Sequence, residues 1–366
     1  MKPRERVIKT IEREDPDRVP LNAHLRPEAL EKLYGHFGTR DDHVIYDKLG
    51  IDSIWVTMEE GESFKRKATL FSPFESPYGM WGLGPGYMIR HPDNVVEDEW
   101  GIKRRADSTG KYWHFVYHPL QDVTSVNDYE FPDINEAGRF DEAEKFMRKW
   151  GDKYFTIGGV LPGFMEWYWY LRGWKQFIRD LYTNPKFAND LFDKLLEFNL
   201  EMGKRLIELG VDSIGSGEDS GSQTGLFFSL PIWRKYFKPR YMKLYSDLKK
   251  RGAYIFYHSD GNIEQLIPDL IDVGVDILNP IQPECMEPGE IKELYGDKLT
   301  LDGAISVQET LPFGTTEDVK QEVINRIKIL GRNKGYILGP THVIGFDVPL
   351  ENILMLFETA KEYGKY

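Results

Sequence analysis

The sequence predicts an α/β protein built as a (β/α)8 TIM-type barrel, and three observations predict it. The chain has 366 residues, which one barrel with insertions can accommodate. Eight short β-branched or apolar runs alternate with long segments of helical periodicity. No G-x-G-x-x-G motif follows the first run, as it would in a doubly wound dinucleotide-binding sheet. We therefore expect residues 1–366 to form a single barrel domain.

The predicted elements follow one another in a regular order. The N-terminal segment MKPRERVIKTIERED is typical of an amphipathic helix, an extension in front of the barrel. Predicted strands occupy residues 18–23, 52–57, 154–159, 212–216, 254–258, 275–279, 299–303 and 335–339. Helical patterns cover residues 185–208, 231–250, 262–272, 317–330 and 349–363. Parallel strands joined in this way bring their carboxyl ends to one mouth of the barrel.

Residues 60–120 interrupt this alternation. They begin with the Gly-, Pro- and aromatic-rich stretch SPFESPYGMWGLGPGYMIRH and continue with the alternating runs VVEDEWGIKRR and KYWHFVYHPL. These patterns predict antiparallel β-hairpins. An insertion after an early barrel strand lies over the C-terminal mouth, so we expect this one, and residues 71–90 in particular, to form a pocket lid.

Composition excludes several classes of protein. Lys and Arg total 47 against 59 Asp and Glu, and the net charge of -12 repels a phosphate backbone, so no nucleic-acid partner is expected. No apolar run approaches the roughly 18 residues of a membrane helix, and no signal-peptide core is present, which predicts a cytoplasmic protein. Cys285 is the only cysteine, which excludes an intrachain disulfide and a Cys-only zinc site. We interpret it as a structural or incidental thiol.

The segment YIFYHSDGN, residues 254–262, contains the first candidate metal ligands. Residues two apart at the end of a strand point the same way, so the His258 imidazole and the Asp260 carboxylate can converge on one cation. The alternative is that Asp260 caps the following helix and His258 is a buried, hydrogen-bonded histidine. His342, in GYILGPTHVIGFDVP, follows another predicted strand and would face the same mouth.

Two further segments follow predicted strands. The glycine-rich GSGEDSGSQTG, residues 215–225, is either a flexible connection or the source of another ligand or a general acid, with Glu218 and Asp219 as candidates. In LPGFMEWYWYLRGW the aromatic residues are too many for all to point inward from one helix, so some are expected to line a flat apolar pocket. Trp167 and Trp169 are the candidates for substrate binding, and Glu166 is either a pocket carboxylate or a first-turn helix acid.

Over nearly its whole length the chain resembles the uroporphyrinogen decarboxylase superfamily, and within it the corrinoid-dependent methyltransferase branch. The segments that carry the resemblance are RERVIKTIEREDPDRVPLNAH, DEWGIKRR, WYLRG, EDSGSQTGLFFSLPIWRKYFKPRY, HSDGNIEQLIPDLIDVGVDILNPIQP, LPFGT and GYILGPTHVIGFDVPLENI. The later segments are the more specific ones. The resemblance implies a TIM-type barrel with its site at the C-terminal mouth.

The resemblance also implies a metal site. Methylcobamide:coenzyme M methyltransferases of this superfamily hold zinc by a His-x-Cys pair at a strand end and by a cysteine late in the chain. Here the pair is His258 and Asp260, and His342 stands at the position of the late cysteine. The implied ligand set, His258, Asp260 and His342, suits Zn²⁺ or a similar divalent ion and disfavours thiol substrates such as coenzyme M.

The resemblance, taken together with these residues, implies a zinc-dependent methyltransferase of the O-demethylase type. With His and Asp in place of thiolates, the ion is a stronger Lewis acid that polarises oxygen. The expected reaction moves a methyl group from a small methylated substrate, favoured to be an aromatic O-methyl ether, to the cobalt of a separate corrinoid protein. Glu218 or Asp219 would complete the zinc shell or protonate the leaving oxygen, and Tyr257 or Gln223 would orient the substrate.

Three other functions stay open: a cofactor-free decarboxylase of the uroporphyrinogen decarboxylase type, a methylcobamide:thiol methyltransferase, and a non-enzymatic corrinoid- or ligand-binding protein. The decarboxylase keeps an Arg-rich segment of the form RQAGR, whereas this chain has LNAHLRPEA, with Arg26 alone. Methylamine, methanol or sulfur-methyl donors fit the fold as well as an ether does. The sequence leaves the oligomeric state open, with a homodimer as one option.

Overall fold

The computed structural model describes residues 1–78, 85–161 and 163–366. Its strands, in chain order, are β1 (Ser53–Val56), β2 (Thr69–Phe71), β3 (Gly86–His91), β4 (Val95–Glu97), β5 (Lys103–Ala106), β6 (Trp113–Tyr117), β7 (Phe155–Leu161), β8 (Ser213–Gly217), β9 (Gly221–Ser222), β10 (Gly225–Leu226), β11 (Tyr254–His258), β12 (Ile277–Asn279), β13 (Thr300–Ile305) and β14 (Tyr336–Pro340). The central sheet is parallel and has the order β1-β7-β8-β11-β12-β13-β14. Predicted strands correspond to every member of this sheet.

Helices follow most of the central strands and cover the outside of the sheet. They are α1 (Pro3–Ile11), α2 (Pro27–Phe37), α3 (Asp42–Leu49), α4 (Glu62–Lys65), α5 (Asp141–Trp150), α6 (Phe164–Arg172), α7 (Trp174–Thr183), α8 (Pro185–Glu208), α9 (Leu230–Tyr236), α10 (Lys238–Lys250), α11 (Ile267–Val273), α12 (Pro288–Tyr295), α13 (Thr310–Phe313), α14 (Thr316–Leu330) and α15 (Leu350–Tyr363). None of the helices in the described ranges is both long enough and apolar enough to cross a membrane.

The sheet closes into a barrel through residues 20–25, the region of the first predicted strand. The amide of Leu338 in β14 donates to the carbonyl of Pro20 at 2.9 Å, and the amide of Asp52, just before β1, donates to the carbonyl of Leu21 at 2.8 Å. The segment makes isolated bridges rather than a continuous ladder, and Pro20 has no N–H to donate. The prediction of a (β/α)8 TIM-type barrel is confirmed.

The predicted N-terminal extension closes the end of the barrel opposite the mouth. Val7 of α1 packs in a buried cluster near the amino ends of the strands, with Phe155, Ile157, Phe256, Ile277 and Ile337. The buried carboxylate of Asp52 accepts hydrogen bonds from Arg6 of α1 and from Arg18. A buried carboxylate needs such partners, so these arginines fix the extension to the barrel.

The insertion forms the predicted antiparallel hairpins, a five-stranded sheet in the order β2-β3-β4-β5-β6. Its own small core contains Phe71, Met88 and Val96. The guanidinium of Arg104 in β5 pairs with Asp98 at 2.6 Å, and both side chains are only 3% exposed. Of the lid predicted at residues 71–90, residues 79–84 lie outside the described residues.

One predicted helix is divided. The pattern over residues 231–250 forms α9 and α10, which meet at Phe237. Pro239 explains the break, because it lacks an N–H and its ring clashes with the carbonyl four residues earlier. The same residue is tolerated in the first turn of α10, where no intrahelical N–H bond is lost.

Candidate functional site

A cavity of about 690 Å³ lies at the C-terminal mouth of the barrel. The barrel strands and the loops after them line it, and so does the insertion, as expected of an insertion over the mouth. Helices α5 and α6 and Met202 of α8 also line the cavity. The wall is mainly apolar, and its aromatic side chains are Trp55, Tyr78, Tyr87, Trp100, Phe146, Trp150, Trp167, Tyr170 and Phe256.

The structure brings together the three residues predicted as metal ligands. His258 ends β11, Asp260 follows two residues later, and His342 lies just after β14. Their ligand atoms all lie within 4.8 Å of one another. The Nε2 atom of His258 is 3.8 Å from Oδ1 of Asp260, and the Nε2 atom of His342 is 3.9 Å from Oδ2 of the same carboxylate. Asp260 therefore lies between the two imidazoles.

The alternative role of Asp260 as a helix cap is not seen. The first amide of the following helical turn, Glu264 N, is bound by the side chain of Asn262 at 3.3 Å. The carboxylate of Asp260 is directed instead toward His258 and His342.

A chain of hydrogen bonds orients the His258 ring. Its Nδ1 atom lies 2.6 Å from Oδ1 of Asn279, and the Nδ2 amide of Asn279 donates to Asp302 at 2.9 Å. The other oxygen of Asp302 accepts from Asn22, also at 2.9 Å. Because the Asn279 amide nitrogen faces Asp302, its oxygen faces His258, and Nδ1 carries the proton. The lone pair of Nε2 is then directed toward Asp260 and the cavity.

Burial and neighbouring charges act differently on the imidazoles. Burial alone would lower the pKa of His258, but the carboxylates of Asp260 and Asp219 raise it above its ordinary value. Burial lowers the pKa of His342 despite the opposing effect of Asp260. A third histidine in the wall, His24, has its pKa lowered to about 3 by burial and by the other two histidines. Its imidazole is therefore neutral at neutral pH.

The two adjacent acids after β8 point in different directions. Glu218 is 1% exposed, does not belong to the described cavity lining, and accepts hydrogen bonds at 2.5 Å from the Tyr241 hydroxyl and the Met165 amide. Asp219 lines the cavity, and its Oδ1 atom lies 3.9 Å from Nε2 of His258. The same oxygen accepts a hydrogen bond from the amide of Asp260 at 2.9 Å. Asp219 is therefore the acid that lies beside the predicted ligands.

Helix α6 contributes Glu166, an acid of its first turn, and Trp167 to the cavity lining. The carboxyl of Glu166 accepts a hydrogen bond from the Tyr170 hydroxyl at 3.2 Å. Burial, and then the negative charge of Asp219, raise the pKa of Glu166 well above its ordinary value. The rings of Trp167 and Trp100 meet edge to face with their centroids 5.9 Å apart. This part of the wall is thus aromatic with one embedded carboxyl group.

Three other predicted site residues do not belong to the described cavity lining. Trp169 packs edge to face on Phe115, with ring centroids 4.7 Å apart. Tyr257 is fully buried in the core. Gln223 lies at the surface, where its side-chain oxygen accepts from the thiol of Cys285 at 3.2 Å. The structure thus does not bring these three to the predicted ligands, and their roles stay predictions.

Four residues in or beside the site were not predicted from the sequence: His24, Glu60, Asn279 and Asp302. Asn279 and Asp302 are polar residues at the ends of, or within, otherwise apolar strands, in DILNP and LTLDG. A buried polar group needs a partner, so that contrast was a signal that could have found them. His24 and Glu60 shortly follow the first and second predicted strands, the same place in the barrel pattern as the predicted ligands.

Comparisons with known proteins agree with this architecture. The family model described as uroporphyrinogen decarboxylase (URO-D) matches residues 108–363, more than half of the chain. A methyltransferase from Methanosarcina mazei has a similar fold, with a TM-score of 0.67 and 17% identity over 99% of each chain. A B12-independent methionine synthase from a Shewanella species, in complex with selenomethionine, gives 14% identity over 94% of this chain and 98% of that one, and its TM-score of 0.44 is too low to inform the comparison. No curated protein matches the sequence.

Proposed function

Because this chain belongs to the uroporphyrinogen decarboxylase family and brings His258, Asp260 and His342 together, we propose that it is a metal-dependent methyltransferase. The proposed reaction moves a methyl group from a small methylated substrate, favoured to be an aromatic O-methyl ether, to the reduced cobalt of a corrinoid on a partner protein, which supplies the electron pair of the new bond. The observation that carries the proposal is the convergence of these three side chains beside an aromatic cavity at the barrel mouth. The similar fold of a protein described as a methyltransferase supports it.

The donor set fits a divalent ion. Imidazole and carboxylate donors together suit zinc or a similar metal, and three protein ligands leave a position open for substrate. His258 and His342 would offer Nε2 atoms and Asp260 one carboxylate oxygen. The hydrogen bond to Asn279 presets the required tautomer of His258. When bound, the ion would supply a Lewis acid that polarises the ether oxygen and lowers the cost of its departure.

The protein's own groups would hold the substrate and manage the proton. When the methyl group leaves, the bonding electron pair stays on the substrate oxygen, which must then gain a proton. Asp219, 3.9 Å from His258, is placed to carry that proton or to complete the ligand set. The rings of Trp100 and Trp167 would hold the apolar part of the substrate and exclude water.

Glu218 would position helix α6 through a hydrogen bond to the backbone of that helix. Its carboxylate accepts the Met165 amide in the first turn of α6, the helix that carries Glu166 and Trp167 into the cavity. Burial raises the pKa of Glu218 to about 7, although its hydrogen bonds to Tyr241 and Met165 oppose this shift. We propose it as a positioning residue.

The lining argues against decarboxylation of a porphyrinogen. A tetrapyrrole with several carboxylates requires several cationic partners. Of the three basic side chains in the described lining, Arg104 already pairs with Asp98 and Lys145 with Glu142, which leaves only Lys149. Incubation with the porphyrinogen, without metal or corrinoid protein, is expected to release no carbon dioxide.

Metal analysis of purified variants tests the proposal. Wild-type protein is expected to retain about one equivalent of divalent metal, and His258→Ala and His342→Ala to lose it. Both variants should also fail to methylate a corrinoid protein. The control His36→Ala changes an exposed histidine of α2 and should retain metal and activity. Equal metal content in wild type and both site variants would refute the proposed centre.

A further inference from the structure

The cavity wall carries an excess of acidic side chains. Its described lining contains seven carboxylates and three basic side chains, which are Glu59, Glu60, Asp98, Glu99, Glu142, Glu166 and Asp219 against Arg104, Lys145 and Lys149. A cleft lined mainly by one sign of charge concentrates the electrostatic potential within it. The potential here favours a positive ligand.

Ion pairs compensate part of this charge. They join Arg104 with Asp98, Lys145 with Glu142, Arg139 with Glu99 and Lys65 with Glu59, with N to O separations of 2.6 to 2.7 Å. Within the described ranges, no lysine or arginine pairs with Glu60, Glu166 or Asp219. Lys149 is exposed and lies over the Trp150 ring, 4.8 Å from its centroid, so solvent screens its charge. Asp219 faces the His258 imidazole at 3.9 Å, so Glu60 and Glu166 are the acids of the wall that a cationic ligand can pair with.

Two of these acids lie in surroundings that oppose their ionisation. Burial, with contributions from Glu99 and Glu59, raises the pKa of Glu60 to about 7. Burial also raises the pKa of Glu166 well above its ordinary value. A nearby positive charge favours the ionised form of a carboxyl group. A bound cation would thus favour the ionised forms of Glu60 and Glu166 and pair with their negative charges.

The aromatic residues beside Glu166 offer a second attraction for a cation. The ring centroids of Trp167 and Tyr170 are 5.3 Å apart, and Trp100 meets Trp167 at 5.9 Å. The faces of indole and phenol rings attract cations, and indole does so most strongly. A carboxyl group set among such rings is a combination that suits an ammonium group.

We propose that the substrate is a cation, whose ammonium or substituted ammonium group is held by the Glu166 carboxylate and the Trp167 ring, with Glu60 as a second acid of the same cavity wall. A protonated amine would donate hydrogen bonds to the carboxylates, and an alkylated one would use the ring face. This inference rests on the proposed function for the position of the reacting methyl group, near His258 and His342.

Three probes that differ only in charge test the inference. They are 4-methoxybenzylammonium, 4-methoxybenzyl alcohol and 4-methoxybenzoate, and their binding to the full-length protein is measured by calorimetry. The ammonium compound is expected to bind at least about tenfold more tightly than the alcohol, and the benzoate to bind most weakly. Glu166→Gln keeps the shape of the side chain and should reduce this preference to about threefold or less.

Two further variants complete the experiment. Glu60→Gln should weaken the preference independently, which keeps the test valid if Glu166→Gln does not fold. Glu197→Gln makes the same change in charge at a side chain 68% exposed on α8, and should leave all three affinities unchanged. Stronger binding of the alcohol or the benzoate, no binding of any probe, or a full ammonium preference in both cavity variants would overturn the inference.

Metal analysis of the same samples separates this inference from the proposed function. Cation preference in a protein that retains no metal would contradict the proposed function and leave the inference standing. A protein that retains metal and transfers the methyl group but shows no preference for the cation would contradict this inference and leave the proposed function standing.

Discussion

Asp302→Asn tests whether the hydrogen-bond chain behind His258 controls the proposed metal site. Asp302 is 1% exposed, and its two oxygens accept the side-chain amides of Asn279 and Asn22 at 2.9 Å each. The substitution replaces one acceptor oxygen with an NH₂ group of nearly the same size. Two donors would then face each other, and rotation of the Asn279 amide relieves that conflict only by turning its NH₂ group toward His258.

The expected loss follows from the tautomer of His258. An NH₂ group facing Nδ1 requires a lone pair there and moves the proton to Nε2, the atom that the metal needs. Loss of such supporting groups typically reduces metal affinity by about 10- to 100-fold, which is about 1.4 to 2.8 kcal/mol. If the amides do not rotate, the buried unpaired donor instead costs about 1 to 3 kcal/mol of the free energy of unfolding.

Competition with a chromogenic chelator measures the metal affinity, and urea unfolding measures the stability. Asp269→Asn is the matched control, because the side chain of Asp269 is also buried, 4% exposed, and binds Arg234 and Lys238 on the outer helices. The control is expected to lose stability and keep wild-type metal affinity. A folded Asp302→Asn protein with unchanged metal affinity and stability would refute the reasoning.

Two other predictions concern stability. Gly339→Ala would place a Cβ atom 2.4 Å from the carbonyl oxygen of Asn22, and we expect it to lower the free energy of unfolding in urea by about 1 to 3 kcal/mol. The control Gly35→Ala, whose added Cβ would have no atom within 4 Å, should raise the free energy of unfolding by about 0.5 to 1 kcal/mol. Equal effects of the two substitutions would contradict this prediction. The hydrogen bond from Arg6 lowers the pKa of Asp17 to about 2, so the contribution of Asp17 to stability is present above the ordinary carboxylate pKa and is lost as the pH falls through about 2. Asp17→Asn should therefore make the free energy of unfolding depend less on pH between about pH 4 and pH 2. The same pH dependence in wild type and variant would contradict this prediction.

The strands of the central sheet were predictable because most of their residues are buried, whichever face of the sheet they occupy. Parallel barrel strands appear as short continuous apolar runs, and all eight such runs lie in the barrel. Helix α8 has the predicted bounds, since Asn184 caps it and Pro185 occupies its first turn. The isolated bridges of residues 20–25 were not predictable, because residues far away in the sequence determine their pairing.

The site was predictable where the barrel alone determines it. His258, Asp260 and His342 follow strands whose carboxyl ends must meet, so their convergence follows from the fold. The choice between Glu218 and Asp219 does not follow from it. The Tyr241 hydroxyl in α10 and the Met165 amide in α6 hold Glu218 away from the cavity, and neither group is near it in the sequence.

The closure of the barrel and the orientation of His258 share one contact, between Asn22 and Asp302. A Cβ atom at position 339 would lie 2.4 Å from the Asn22 carbonyl oxygen and 3.7 Å from Oδ1 of Asp302. Gly339→Ala should therefore weaken metal binding through the same hydrogen-bond chain that Asp302→Asn breaks. The effects of two substitutions in one hydrogen-bond chain on metal affinity are not expected to add. The double variant should therefore lose no more metal affinity than Asp302→Asn alone. Additive losses would show that barrel closure reaches the site by another route.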